Sequence, residues 1–307
     1  MVARQLRRLL IGELLIYGLL CVGLVLQAAW TPLEAMGFAL MLFLGLRLLV
    51  VAVSFGFMLR GSDVVPEGLR IGLAGALRIA LEEYLGLVLF FSAIQPFEFF
   101  WMGPDRLPKS TGTRPPLLLV HGYQCNRGFW FWLRPRLEAA GWTVATVSLE
   151  PAWAEIDEYA PAIARRIDEV LAATGATQVI LVGHSMGGVA LRAYLRRYGA
   201  DKVARVISLG SPHQGTRLAR LGFTPNARQM RIGSPWLATL AAPGSVPLPP
   251  GSVSIYSWHD NYVFPQSAGS TLEGAANFAI GGVAHIAMGF SPAVLNKLLE
   301  ALALPSP

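Results

Sequence analysis

A glycine-rich turn between a short apolar run and a helical pattern constrains the fold of this chain more than any other feature. Residues 179–182 read Val-Ile-Leu-Val, residues 183–188 read Gly-His-Ser-Met-Gly-Gly, and a helical pattern follows directly. The glycines allow a sharp turn, and such a turn leaves Ser185 exposed at the end of a strand. The string alone is weak, because about 0.2 matches to Gly-x-Ser-x-Gly are expected by chance at this composition. Its position between a strand and a helix is what predicts an α/β sheet here.

Strands and helices alternate through the rest of the C-terminal two thirds. The predicted strands are 117–120, 143–149, 178–182, 203–209, 252–257 and 277–280. The predicted helices are 129–140 (interrupted near Pro135), 156–173, 186–198 and 292–302. This alternation predicts an α/β fold with a mostly parallel sheet and helices on both faces. Ligands of such sheets bind at the carboxyl ends of the strands.

A serine hydroxyl attacks an electrophile only with the help of a base, which in turn needs an acid to orient it. Of the five histidines, His285 is the candidate base, because it follows the last strand and precedes the last helix. The other four have different interpretations: His121 shapes its loop, His184 in the turn points away from the substrate, His213 could line a pocket, and His259 adjoins the candidate acid.

Asp260 is the leading candidate for the acid. It lies just beyond a predicted strand and 25 residues before His285, so the order serine, acid, histidine is kept. Glu273 is the alternative by the same argument of chain order. Backbone N–H groups of Met186, after the serine, and of Tyr123, after the first strand, are the candidates for an oxyanion hole.

Four motifs in this order resemble small bacterial triacylglycerol lipases and esterases of the α/β-hydrolase fold. They are Leu-Leu-Val-His-Gly-Tyr at 118–123, Gly-His-Ser-Met-Gly-Gly at 183–188, Ser-Ile-Tyr-Ser at 254–257 ahead of Asp260, and Gly-Val-Ala-His-Ile at 282–286. The resemblance covers about residues 115–302 and is strongest to the minimal lipases, which lack a cap domain. It implies a triad of Ser185, Asp260 and His285, with Tyr123 and Met186 at the oxyanion hole. It also implies that catalysis needs no metal, and no cofactor is expected.

The first hundred residues have no counterpart in secreted minimal lipases. The chain is 53% hydrophobic and 14% charged, and the apolar excess lies in this part. Residues 9–28 and 35–59 are long enough to cross a bilayer, and a short turn-like connection joins them. Residues 1–60 are therefore predicted to form a transmembrane hairpin. Within it, Glu13 and Arg47 are expected at different depths, so a direct ion pair is not favoured.

A secretory signal peptide is the competing interpretation of the N-terminus. Arg4, Arg7 and Arg8 followed by an apolar stretch fit such a signal. The stretch ends in Leu-Gln-Ala-Ala at 26–29, which lacks the small-x-small cleavage pattern, and a second apolar stretch follows at once. Membrane anchoring is therefore favoured over cleavage.

Residues 61–114 are predicted to form an interfacial helix and a linker ahead of a catalytic domain at 115–307. The apolar region 71–94 contains Arg78, Glu82 and Glu83, which favour a helix at the membrane interface over a third span. The aromatic residues that follow, and the Pro- and Gly-rich stretch 105–116, fit an interface and a linker respectively. Two spans would place the catalytic domain on the cytoplasmic face of a bacterial inner membrane, and three would place it in the periplasm.

Charge and cysteine content exclude other classes. The net charge is +6, but the arginines are scattered and form no nucleic-acid patch. The positive charge therefore favours binding to an anionic membrane surface. Cys21 lies in the apolar N-terminus and Cys125 in the globular part, so the two cysteines do not suggest a disulfide framework. No zinc-ligand spacing occurs in the sequence. The sequence gives no indication of protein partners.

Residues 216–251 are longer than a simple connection requires. They contain many large apolar side chains, among them Leu218, Leu221, Phe223, Met230, Trp236, Leu237 and Leu240. They predict either a small lid over the pocket or ordinary packing against the sheet, with neither favoured. The functional expectation is a serine carboxylic-ester hydrolase that acts on lipid-like esters at the membrane. An acyltransferase or a thioesterase would use the same triad, and a catalytically inactive membrane-anchored interaction protein is the alternative from another class.

Overall fold

The parallel α/β sheet that the sequence predicts is present. The computed structural model describes residues 1–109, 114–242 and 246–304. Its strands are β1 (Leu117–Val120), β2 (Val144–Val147), β3 (Val179–His184), β4 (Val203–Leu209), β5 (Val253–Ser257) and β6 (Ala276–Ile280). All neighbours pair in parallel, in the order β2-β1-β3-β4-β5-β6. The predicted fold class is confirmed.

Some of the helices in the described part of the chain cover the two faces of this sheet, and others precede it along the sequence. The helices are α1 (Val2–Gln27), α2 (Pro32–Gly61), α3 (Leu73–Leu89), α4 (Glu98–Met102), α5 (Leu133–Ala139), α6 (Ala160–Thr174), α7 (Met186–Tyr198), α8 (Pro225–Gln229), α9 (Pro235–Leu240), α10 (Gln266–Ser270) and α11 (Pro292–Ala303). Alternate residues of β1 belong to two separate apolar cores, Leu117 and Leu119 to one and Leu118 and Val120 to the other. The first core includes residues of α5 and α11, and the second includes residues of α6 and α7.

One helix differs from its prediction. The pattern at 129–140 predicts a helix interrupted near Pro135, whereas the chain forms a 3₁₀ turn at Arg127–Trp130 and then α5. Pro135 lies in the first turn of α5, where a missing N–H leaves no helical hydrogen bond unmade. The interruption therefore falls before the proline rather than at it.

The two N-terminal apolar stretches form the long helices α1 and α2. Both are long and apolar enough to cross a membrane, although a signal sequence near an N-terminus meets the same criterion. Thr31 begins α2 with a capping box, because its hydroxyl accepts a hydrogen bond from Glu34 N while the Glu34 carboxylate accepts one from Thr31 N. Both helices could therefore be arranged as the predicted hairpin.

Glu13 and Arg47 form a direct ion pair, so the expectation that their depths differ was wrong. Arg47 Nη2 donates to Glu13 Oε2 at 2.6 Å, and Arg47 Nη1 contacts the other carboxylate oxygen. The predicted depths were counted from the N-terminal end of the first apolar stretch and from the C-terminal end of the second. Counted from the connecting turn, both residues lie about four helical turns away, which brings them to the same level.

Helix α3, which the sequence predicts as an interfacial helix, packs on the C-terminal sheet domain. Ile79 is buried, Glu83 is completely buried, and Arg78 Nη2 donates to the carbonyl of Gly282 at 3.1 Å. Gly86 lies so close to the ring of Phe290 that an added Cβ would come within 2.8 Å of it. Among the described residues, α3 is not one of the helices that meet the criterion for a membrane span.

Asp105, which the sequence pattern places in a linker, is part of the folded domain. Its side chain is 3% exposed and pairs with Arg134 at 3.0 Å and with Arg166 at 2.6 Å. It also accepts a hydrogen bond from Thr146 N, in β2, at 2.7 Å. Asp105 is therefore fixed against the sheet, and residues 110–113 of the expected linker lie outside the described residues.

Candidate active site

Ser185 lies at the turn between β3 and α7. Its backbone has φ 54° and ψ −127°, a strained combination for a residue with a Cβ. The neighbouring glycines allow this turn: a Cβ on Gly183 would come within 2.6 Å of Gly188 N, and a Cβ on Gly187 would collide with the carbonyl of Val120. The turn holds the serine at the carboxyl edge of the sheet, as predicted.

The side chains of Ser185, His285 and Asp260 form a continuous hydrogen-bonded chain. His285 Nε2 lies 2.9 Å from Ser185 Oγ, and His285 Nδ1 lies 2.8 Å from Asp260 Oδ2. With Nδ1 protonated, the imidazole donates to the carboxylate and accepts the serine proton at Nε2. All three residues are at least 90% buried. The structure thus brings together Ser185, which is predicted from its turn, and Asp260 and His285, which are predicted from their order in the chain.

Asp260 is oriented by the backbone that follows it. Its Oδ1 accepts hydrogen bonds from the N–H groups of Tyr262 and Val263, both at 2.8 Å, which leaves Oδ2 for His285. Glu273, the alternative acid, is exposed and lines a different cavity beside Leu272. The geometry favours Asp260.

The other four histidines are not members of the hydrogen-bonded chain of Ser185, His285 and Asp260. His121 Nε2 accepts a hydrogen bond from Leu149 N and so holds its loop, as expected, and His259 Nδ1 accepts one from Gly282 N. His213 is buried with Nε2 against Ser208 Oγ and does not line the active-site cavity, contrary to one possibility raised by its position. His184 does not point away from the site: its ring stacks on Phe129 with centroids 4.2 Å apart and lies 4.7 Å from the ring of His285.

The loop after β1 approaches the serine closely. A Cβ on Gly122 would come within 2.8 Å of Ser185 Cβ, so only a glycine fits there. The next residue is Tyr123, and the first residue of α7 is Met186. The first N–H groups of a helix have no partner within the helix, which leaves Met186 N–H available to a ligand.

Comparison with known proteins agrees with the fold described above. Residues 115–226 match a family model described as the alpha/beta hydrolase fold. The mature lipase BlEst2 of Bacillus licheniformis superposes on 65% of this chain and 96% of its own with a TM-score of 0.56 at 18% identity. Lipase B of Aspergillus fumigatus superposes on 66% of this chain and 56% of its own with a TM-score of 0.57 at 21% identity.

The chain has the α/β-hydrolase fold.

Curated relatives share shorter segments with this α/β-hydrolase chain. A triacylglycerol lipase of Pseudarthrobacter phenanthrenivorans is 33% identical over 115 residues, which are 35% of this chain and 36% of the relative. A triacylglycerol lipase of Vibrio cholerae serotype O1 is 31% identical over 162 residues, which are 48% of this chain and 50% of the relative. The chain thus spans between about a third and a half of the length of the curated relatives it matches.

Two residues next to Asp260 support His285 and were not identified from the sequence. Asn261 Oδ1 accepts a hydrogen bond from His285 N at 3.1 Å, and Asn261 Nδ2 donates to Ser54 Oγ of α2 at 2.8 Å. The ring of Tyr262 stacks on the imidazole with centroids 5.1 Å apart. Their position directly after the candidate acid was the only available signal.

The charges around His285 favour its protonated form. Burial alone would lower the pKa of His285, but the charge and hydrogen bond of Asp260, together with the charge of Glu83, hold this pKa above its ordinary value of 6.5. A base with a raised pKa takes the serine proton more readily once it is neutral.

A cavity of about 490 Å³ opens next to Ser185 and His285. Its lining is mainly apolar and comes from three parts of the chain. Residues around Ser185 and His285, together with the loop at 122–125, form one part. Residues 212–230 form the second part, and α2 with the segment after it forms the third. The contributions of this third part are Val50, Leu87, Phe90, Phe91 and Gln95. The size and apolar lining are typical of a site for a small organic ligand.

Different parts of residues 216–251 match the two possibilities that the sequence leaves open, a lid over the pocket and ordinary packing. Leu218, Leu221 and Met230 line the cavity, as a lid would. In α9, Leu237 and Leu240 pack with Val189 of α7, which is ordinary packing. Residues 243–245 lie outside the described residues.

Proposed function

We propose that this protein is a serine carboxylic-ester hydrolase that acts through Ser185, His285 and Asp260. The observation that carries the proposal is the hydrogen-bonded chain from Ser185 Oγ through the imidazole to Asp260 Oδ2, with distances of 2.9 and 2.8 Å, at a strained turn after β3. The similarity to triacylglycerol lipases of other organisms supports ester chemistry.

The proposed reaction has two halves. His285 takes the proton of Ser185 as Oγ attacks the ester carbonyl, and Asp260 stabilises the imidazolium. The N–H groups of Tyr123 and Met186 would bind the oxyanion, and His285 then protonates the leaving alcohol. In the second half, His285 activates a water that opens the acyl-enzyme and releases the acid, which regenerates Ser185.

The proposed substrates are lipid-like esters at a membrane. The cavity beside Ser185 is lined mainly by apolar side chains, including Leu218 and Met230, which suit an acyl chain better than a polar group. The curated relatives are named triacylglycerol lipases, and this chain is proposed to act on an ester of the same general kind.

The proposed location is the bacterial inner membrane, with α1 and α2 as a spanning hairpin and the catalytic domain on the cytoplasmic face. Both ends of the hairpin contact the catalytic domain: the N-terminal ammonium of Met1 pairs with Glu150, and Gly61 packs against Phe264. The basic N-terminus and the catalytic domain then share one side, which the positive-inside rule makes cytoplasmic. The proposed division is 1–60 hairpin, 61–114 interfacial segment, and 115–307 catalytic domain.

Activity is tested with the full-length protein in detergent micelles and a series of p-nitrophenyl esters. We expect turnover by wild type and a loss of about 10⁴-fold or more in Ser185→Ala. An added alcohol acceptor and a thioester substrate distinguish the alternatives: dominant transfer to the alcohol would indicate an acyltransferase, and preferred thioester cleavage a thioesterase. A wild-type protein that turns over none of these substrates would support the inactive interaction protein.

The orientation is tested by labelling single cysteines with a membrane-impermeant maleimide. In a Cys21→Ala background, whose remaining Cys125 is buried, a cysteine replaces Leu33 near the tip of the hairpin or exposed Lys202 in the catalytic domain. In intact spheroplasts we expect labelling at position 33 and none at position 202. The opposite pattern would place the catalytic domain in the periplasm.

A further inference from the structure

We propose that Val50, Leu87 and Phe91 form the acyl-chain site, and that the acyl chain enters it directly from the bilayer. This inference rests on the proposed ester hydrolysis and adds the route of the substrate. These three residues line the cavity next to Ser185 but belong to α2, α3 and the turn after α3, outside the residues that match the hydrolase family model. The helices that precede the proposed catalytic domain, α2 and α3, would therefore build part of the substrate site.

The cavity lies beside the apolar length of α2. Val50 is within that length, and Tyr84 of α3 donates its hydroxyl hydrogen to the carbonyl of Leu44, also in α2, at 3.3 Å. The part of α3 that lines the cavity thus lies along a segment that is proposed to span the bilayer. Lipid tails are consequently the nearest apolar phase.

The surface around the cavity is apolar. Five leucines, each four residues from the next, remain about half or more exposed along α3: Leu73, Leu77, Leu81, Leu85 and Leu89. Such a stripe forms one face of the helix. Because Tyr84 joins α3 to α2, and because Arg78 and Glu82 lie beside the leucine stripe as they would at a headgroup layer, we take the bilayer as its occupant.

Two residues of the cavity lining also mark its rim. Val50 remains 44% exposed and Leu221 remains 50% exposed although both line the cavity. Phe223, two residues after Leu221, is 82% exposed. An opening bounded by exposed apolar side chains admits an acyl chain from lipid without passage through water.

The test compares a long-chain with a short-chain ester. Val50→Trp should narrow the entry, and Val53→Trp, one turn along α2 and not among the residues that line the cavity, is the matched control. With p-nitrophenyl palmitate in phosphatidylethanolamine–phosphatidylglycerol vesicles and p-nitrophenyl butyrate in the same vesicles, we expect the palmitate-to-butyrate ratio of kcat/KM to fall about tenfold in Val50→Trp. The ratio should stay near wild type in Val53→Trp.

An unchanged ratio in Val50→Trp, or an equal fall in both variants, would overturn this route while leaving the proposed hydrolysis intact. If the proposed hydrolysis itself were wrong, the wild-type protein would cleave neither ester, and this result distinguishes the two cases.

A second inference comes from an independent observation: we infer that Glu83 of α3 is a positioning residue for the base His285. Glu83 Oε1 accepts a hydrogen bond from Ile286 N at 3.1 Å, and Oε2 accepts one from Ala287 N at 2.9 Å. These are the two residues that follow His285. The carboxylate therefore ties the catalytic loop to a helix that lies outside the sheet.

The environment of Glu83 links its charge to His285. Burial raises the pKa of Glu83 to about 7, although the two backbone N–H groups and the charge of His285 oppose this rise, and the charge of Asp260 adds to it. Glu83 in turn raises the pKa of His285 and, together with burial, that of Tyr262. A buried carboxylate in this position favours the protonated imidazole that forms during catalysis.

Glu83→Gln is the test, and Glu82→Gln is the matched control. Glu82 directly precedes Glu83 in α3 but pairs with exposed Arg78. In Glu83→Gln we expect kcat to fall and the acidic limb of kcat/KM to move to lower pH, since the imidazole loses a neighbouring negative charge. Glu82→Gln should keep the wild-type profile. A purely structural role would lower the thermal stability without moving the acidic limb, and that result would overturn the inference.

Discussion

Asp260 Oδ2 accepts a hydrogen bond from His285 Nδ1 at 2.8 Å, while its other oxygen is held by two backbone N–H groups. This fixes the imidazole with Nε2 toward Ser185. Asp260→Asn preserves the shape but offers an amide donor to Nδ1, which favours the wrong tautomer. We expect kcat to fall about 10⁴-fold. Steady-state kinetics with a short ester measure this loss; the control is Glu273→Gln, and a comparable loss there would make Glu273 the acid.

The pH dependence follows from the raised pKa of His285. The imidazole must be neutral to take the serine proton, so activity is present above this pKa and is lost as the pH falls through it. Because the pKa lies above 6.5, kcat/KM should show an acidic limb with its midpoint above that value. A profile of kcat/KM between about pH 5 and 9 measures it. A midpoint below 6.5 would contradict the charge environment described for the site.

Asp105 should contribute strongly to stability. Its side chain is 3% exposed and pairs with Arg134, whose side chain is 6% exposed. Asp105→Ala removes this carboxylate from the buried guanidinium of Arg134, which keeps Glu138 as its carboxylate partner, and from Arg166, so we expect a loss of about 3 kcal/mol in the free energy of unfolding. Asp168→Ala is the control, because Asp168 pairs with Lys202 at the surface and should cost about 0.5 kcal/mol or less. Denaturant unfolding in detergent compares the two variants, and equal effects would contradict the buried network.

The ion pair between Glu13 and Arg47 should stabilise the hairpin as a unit. Replacement of one partner by leucine leaves an uncompensated charge in an apolar segment, so Glu13→Leu and Arg47→Leu should each lower the amount of protein recovered from the membrane. The double variant should recover most of the loss, because no charge remains. Quantitative blotting of membrane fractions measures this cycle. Additive losses in the double variant would show that the two residues act independently.

Chain order and local pattern were enough to predict the sheet, the turn at Ser185 and the three residues of its hydrogen-bonded chain. Each of these depends on features close in sequence: a strand, a glycine turn, or a loop after a strand. Glu83 and Asn261 could not be found in this way, because their partners lie in distant elements. Glu83 contacts residues about two hundred positions later, and Asn261 contacts Ser54 of α2. No local periodicity predicts such contacts.

The error over Glu13 and Arg47 has a similar cause. Their relative depth depends on where the helices end, and helix ends are the least certain part of a sequence pattern. The turn between α1 and α2, capped by Thr31 and Glu34, sets the level of both residues.

Labelling by a fluorophosphonate probe tests whether Ser185 is the nucleophile. The full-length protein in detergent is treated with the probe, digested and mapped by mass spectrometry. We expect one phosphonylated residue, Ser185, no labelling in Ser185→Ala, and slow labelling in His285→Ala because the hydroxyl then lacks its base. A wild-type protein that remains unlabelled, or a label that persists in Ser185→Ala, would contradict the assignment of Ser185 as the nucleophile.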